Sequence, residues 1–115
     1  MEATTDQSKN YWEKQAGTSD WDGLHGMLET DPRLARYRDR AEKAIFFARL
    51  APELAARPRC LEIACGSGRW TTELAQRCSF VRASDISEGM VAHARERVAA
   101  AGFDNVQLEA AAFEA

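Results

Sequence analysis

The sequence has no apolar run close to the roughly 20 residues that a membrane helix requires, and Met1 to Lys9 are polar rather than signal-like. It has no surplus of positive charge. Fifteen Lys and Arg face 18 Asp and Glu, a formal net charge of −3. That balance argues against nucleic acid as the main partner. Cysteine is scarce and odd in number, and Cys60, Cys65 and Cys78 lack metal-ligand spacing. No metal site is therefore expected, and a reduced, cytoplasmic setting is. Cys60 and Cys78 read as buried packing residues. No segment repeats, and no low-complexity linker divides the chain. Its 115 residues suit one small domain, and a 45% hydrophobic content allows a real core.

What is present is organised around Cys60 to Thr71. An apolar run from Cys60 to Ala64, interrupted by Glu62, meets Cys65-Gly66-Ser67-Gly68 directly. A helical pattern follows, with Trp70 and Leu74 one turn apart. The pattern predicts a strand, a tight glycine turn and a helix from about Ser67 to Arg77. Gly66 and Gly68 lack a Cβ, so the backbone can approach a ligand closely there. The free N–H groups of the following helix would face that ligand.

Upstream, residues 1–10 are expected to fray. Tyr11, Trp12 and Trp21 cluster around a polar, glycine-containing stretch. They read either as a flap over a ligand or as surface packing. His25, between glycines, reads as solvated. Thr30-Asp31-Pro32 predicts a helix start, and Pro52 is expected to break that helix. Arg33 to Arg59 holds eight basic and three acidic residues, a solvated face from which one arginine could meet a carboxylate.

Downstream, Phe80 to Ser84 predicts a second strand ending at Asp85. Ser87 caps a helix over Glu88 to Ala101, with Met90, Val91, Ala94, Val98 and Ala101 on one face and Gly102 closing it. His93 reads as a surface residue. A third strand is expected over Val106 to Ala111. Right-handed crossovers make the three strands a parallel sheet. Asp85 then ends the second strand, where an acid can accept two ribose hydroxyls. A glycine turn with such an acid is a stronger signal than either alone.

Leu61-Glu62-Ile63-Ala64-Cys65-Gly66-Ser67-Gly68 resembles the first motif of class I S-adenosylmethionine-dependent methyltransferases. Asp85-Ile86-Ser87-Glu88-Gly89-Met90 is similar to their second motif, and Asn105-Val106-Gln107-Leu108 to the start of the third strand. Two positions depart from the family. Ala64 stands where glycine is usual, and Ala111-Ala112-Phe113 stands where many members place an acid or amide near the adenine amino group.

The resemblance implies an α/β, Rossmann-like parallel sheet with helices on both faces. It would be incomplete, with three strands, and preceded by N-terminal helices. Residues 1–30 would be a flap segment and residues 31–115 a cofactor-binding half-domain. Glu62 would lie near the amino-acid end of S-adenosylmethionine or its product, S-adenosylhomocysteine. Ala64, Gly66 and Gly68 would admit the methionine portion. Asp85 would take the ribose, with Ile86, Met90, Ala112 and Phe113 near the adenine. Tyr11, Trp21 and Arg40 would reach the cofactor from upstream, Arg40 pairing with its carboxylate. No catalytic base is implied, because methyl transfer from a sulfonium relies on positioning.

The expected activity is methylation of a small molecule. A partner chain, or self-association across the open edge of the first strand, would complete the sheet. The alternatives are a catalytically silent subunit of a methyltransferase complex and a dinucleotide-dependent oxidoreductase. The latter fits less well, since its third fingerprint glycine would fall on Thr71.

Overall fold

The computed structural model describes residues 4–17 and 31–113. The elements run α1 (Thr5–Ala16), α2 (Pro32–Leu54), β1 (Arg59–Ile63), α3 (Thr71–Arg77), β2 (Phe80–Asp85), α4 (Glu88–Ala100) and β3 (Val106–Ala110). The strands form one parallel sheet in the order β1-β2-β3. The Rossmann-like arrangement expected from the sequence is present.

Strand alternation decides what lies inside. Cys60 and Glu62 of β1, Val81 and Ala83 of β2, and Val106 and Leu108 of β3 share one face, because successive strand residues point to opposite sides. That face meets Phe47 of α2 and Leu74, Ala75 and Cys78 in and after α3, forming the core. Met90, Val91, Ala94 and Val98 form the buried stripe of α4. The opposite face is exposed among the described residues: Leu61 and Ile63 are 66% and 46% accessible, and Arg82 pairs with Glu109 across the strands.

Four local expectations are corrected. Residues 5–10 belong to a capped helix: Thr4 Oγ1 accepts from the Gln7 N–H at 3.1 Å, and Gln7 Oε1 accepts from the Thr4 N–H at 2.8 Å. This is a capping box, which satisfies two otherwise orphaned donors. Helix α2 continues through Pro52 to Leu54. A proline two residues from a helix end removes one hydrogen bond without stopping the chain. Helix α3 starts at Thr71 rather than Ser67, because Gly66 and Gly68 hold φ of +56° and +88°, outside the right-handed helical range. His93 is half-buried, with Nε2 2.8 Å from the Ala16 carbonyl oxygen.

The helix starts at Thr30-Asp31-Pro32 and Ser87 and the helix end at Gly102 fall where the sequence puts them, though Asp31 is the capping residue of the first and Thr30 lies outside the described residues. Asp31 caps α2 by accepting from the Arg33 N–H, with Pro32 as its first residue. Ser87 Oγ accepts from the Met90 N–H at 3.1 Å and starts α4. Gly102 follows α4 at φ +79°.

Candidate functional site

The carboxyl ends of the strands open into a cleft of about 850 Å³. Its floor is the turn after β1. Ala64 there has φ +60°, a left-handed conformation uncommon outside glycine. The family's usual glycine would sit at that position without strain. Gly66 has φ +56°, and a Cβ built on it would meet nothing within 4 Å, so a side chain there would project into the cleft. Gly68 is different. A Cβ on it would lie 3.2 Å from both Cα and Cβ of Ala94. The turn thus uses one glycine to leave space and the other to pack on α4.

Asp85 joins the turn to the second motif. Its Oδ2 accepts from the Gly66 N–H and its Oδ1 from the Ser87 N–H, each at 2.9 Å. The residue is 9% accessible, yet it still lines the cleft. A carboxylate offers about four accepting positions, so two backbone donors leave room for others.

Glu62 lies behind the turn and is not among the cleft-lining residues. The Thr71 hydroxyl donates to its Oε1 at 2.6 Å, tying the end of β1 to the start of α3. Burial raises its pKa above the ordinary 4.5; the Thr71 hydrogen bond opposes this and the Asp85 charge adds to it. A raised folded-state pKa gives stability that is full below the unfolded value and is lost as pH rises through the folded value. Glu62→Gln keeps an oxygen for Thr71 without the charge. It should therefore unfold at higher temperature than the wild type at neutral pH, with the advantage shrinking as pH falls towards 4.5. Thermal melts across that range check this; an advantage that grows in acid would refute it. Burial also pushes the Cys60 thiol up to about 11 and the Cys65 thiol to about 12, so neither is a thiolate nucleophile at neutral pH.

The cleft brings together Ala64, Gly66, Asp85, Ile86, Met90, Ala112 and Phe113 of the sequence-predicted set. Gly68 stands behind the wall, against α4. Tyr11 is 50% accessible and does not line the cleft; its neighbour Trp12 does, with Thr5 and Ser8 on the same helical face. Arg40 lines a separate hollow with Asp39, Lys43 and Glu73. Trp21 and His25 lie outside the described residues.

The arginines that reach the cleft are Arg38 and Arg69. Arg69 Nε donates to Asp39 and its Nη2 to Glu42, so α2 is clamped to the turn before α3. Edge-on contact of Phe46 with Trp70, at 4.9 Å between ring centres, supports the same junction. Helical phase could have selected Trp12 over Tyr11, since positions 5, 8 and 12 share a face. No sequence signal marks Arg69, whose partners lie 30 and 27 residues away.

Residues 60–115 match a family described as a methyltransferase domain. No curated protein matches the chain. Solved structures do. The complex of DhpI with SAH is 27% identical at a TM-score of 0.64, covering 91% of this chain and 43% of that one. Haemonchus contortus phosphoethanolamine N-methyltransferase 1, with phosphoethanolamine and S-adenosylhomocysteine, is 24% identical at 0.67, covering 94% and 21%. Magnesium protoporphyrin IX methyltransferase from Synechocystis, with SAH, is 18% identical at 0.62, covering 94% and 51%. The chain therefore spans about half or less of the length of these proteins. Leu61–Gly68 and Asp85–Met90, which carry the resemblance, lie within the matched residues 60–115, and the fold is that of these methyltransferases.

Proposed function

We propose that this chain, whose residues 60–115 match a methyltransferase-domain family, binds S-adenosylmethionine at the cleft and serves methylation of a small molecule. The observation that carries the reading is the join of Asp85 to the glycine turn, with Gly66 directing its missing side chain into open space. That is a cradle that a Cβ would fill, beside a carboxylate with accepting capacity left. The residues fit the cofactor. Asp85 would accept from the ribose hydroxyls, while Ile86 and Met90 supply apolar surface for the adenine. Phe113, 74% accessible and three residues beyond β3, offers a ring face where the family resemblance implies an acid or amide. When bound, the cofactor supplies an electrophilic methyl group on a sulfonium. The chain's contribution is to hold, orient and desolvate, since such transfer needs no obligatory base. Glu62, taken up by Thr71, supports the turn from behind, and Trp12 roofs the cleft from α1.

The finer reading concerns completion of the sheet. Strand β1 is an edge among the described residues, and Leu61 and Ile63 are exposed beside it. Unpaired edges of this kind recruit strands, and ligands in such folds sit where strand order reverses, next to the first strand. We infer that further strands and the acceptor pocket pack against β1, whether they come from more of the same polypeptide, a partner chain or a second copy. No helix among the described residues is long and apolar enough to cross a membrane.

Calorimetry with S-adenosylhomocysteine tests the cofactor reading, and light scattering of the same sample tests completion. Saturable binding at one site per chain is expected. Heat of dilution alone would overturn it. Binding without turnover, in every assembled state, would favour the silent-subunit alternative.

A further inference from the structure

We propose that Glu13 is a positioning residue that latches α1 over the cleft and couples its docking to cofactor binding. The inference rests on the cofactor reading of the cleft given above. Glu13 Oε1 accepts from the Ser87 hydroxyl at 2.7 Å and from the Gly89 N–H at 3.0 Å, 74 and 76 residues away. Both donors belong to the start of α4, where unsatisfied N–H groups and the helix dipole favour a carboxylate. The Ser87 hydroxyl and the Gly89 N–H, in that order, hold the Glu13 carboxyl below its ordinary range, so it stays charged through neutral pH.

Ser87, itself fully buried, also connects to the site. Its own N–H donates to Asp85 Oδ1, and Asp85 Oδ2 takes the Gly66 N–H. One hydrogen-bonded chain thus runs from α1 through Ser87 and Asp85 to the glycine turn. The rest of the docking is close-fitting. A Cβ on Gly89 would fall 2.8 Å from the Ala16 Cβ, and His93 meets the Ala16 carbonyl oxygen. Gly89 has no positive φ, so what it contributes is the space α1 occupies. On the same helix, Thr5, Ser8 and Trp12 turn to the cleft. Releasing Glu13 therefore removes a wall of the site and loosens one oxygen of the Asp85 network. None of this touches the core beneath the sheet.

The test uses the full chain, with hydrogen exchange of the α1 and α4 amides and calorimetry with S-adenosylhomocysteine. Glu13→Ala should speed exchange in α1 while the middle of α4 stays protected. It should weaken binding roughly tenfold or more, the change expected when a charged hydrogen bond is lost. Gly89→Ala should do the same with Glu13 and Asp85 both intact, because its methyl group displaces Ala16. Unchanged exchange in α1 overturns the latch. Faster exchange with wild-type affinity overturns the coupling alone. A wild-type chain that binds no S-adenosylhomocysteine overturns the cofactor reading and the coupling with it, and the exchange difference then tells whether Glu13 anchors α1 regardless.

Discussion

Gly68→Val should cost the fold about 2–5 kcal/mol, from left-handed backbone strain of about 1–2 and overpacking of about 1–3. Gly68 has φ +88°, and its missing Cβ would lie 3.2 Å from the Ala94 backbone and side chain. Ala94 is fully buried on α4 and the neighbouring atom is main chain, so neither side can move without parting the turn from the helix. Against a native margin of about 5–15 kcal/mol, the thermal midpoint should fall by about 10–20 °C. Circular dichroism melts read this directly. Gly66→Val is the contrast. Its Cβ would meet nothing within 4 Å, so only the left-handed strain of about 1–2 kcal/mol remains, while the side chain enters the cleft. The two glycines should thus separate: Gly68→Val is lost mainly to unfolding, Gly66→Val mainly to binding. A Gly68→Val midpoint matching the wild type would show that the turn does not depend on close packing against α4.

Asp85→Ala should abolish detectable S-adenosylhomocysteine binding and cost about 3 kcal/mol of stability. Two backbone donors, Gly66 and Ser87, lose a charged acceptor in a residue that is 9% accessible. Hydrogen bonds to charged groups contribute about 1.5–3 kcal/mol each, and water entering the site recovers part of that. The binding loss has two sources: the ribose loses its acceptor, and the turn loses the bond that holds Gly66. Asp85→Asn separates them. It keeps one accepting oxygen and the side-chain volume, so it should recover part of the stability. It should still bind poorly, because its amide offers a donor where the hydroxyls need an acceptor. Calorimetry below the melting range of each variant reads the binding, and melts read the fold. Wild-type affinity in Asp85→Ala would remove Asp85 from the site.

What could be read from the sequence alone was whatever local chemistry dictates. Gly66 and Gly68 force a turn, Asp31 and Ser87 start helices, and Met90, Val91, Ala94 and Val98 recur at helical spacing. Each follows from backbone preference or periodicity within a few residues. The position of Asp85 followed too, since a strand's end is fixed by where its alternation stops. The capping box of Thr4 and Gln7 was legible but outweighed by the polar composition around it.

The tertiary structure decided the rest. Residues 5–16 make a helix with little apolar content, and Glu13 and His93 tie it to α4. That docking turns Trp12, rather than Tyr11, to the cleft. The packing of α2 on the turn before α3 brings Arg69 to Asp39 and Glu42 and leaves Arg40 in another hollow. Glu62, predicted near the cofactor, took the Thr71 hydroxyl behind the turn. One physical reason covers the long-range charged pairs. A charged side chain selects its partner by distance and desolvation, and for Glu13, Arg69 and their partners both arise only once segments 27 to 76 residues apart have packed.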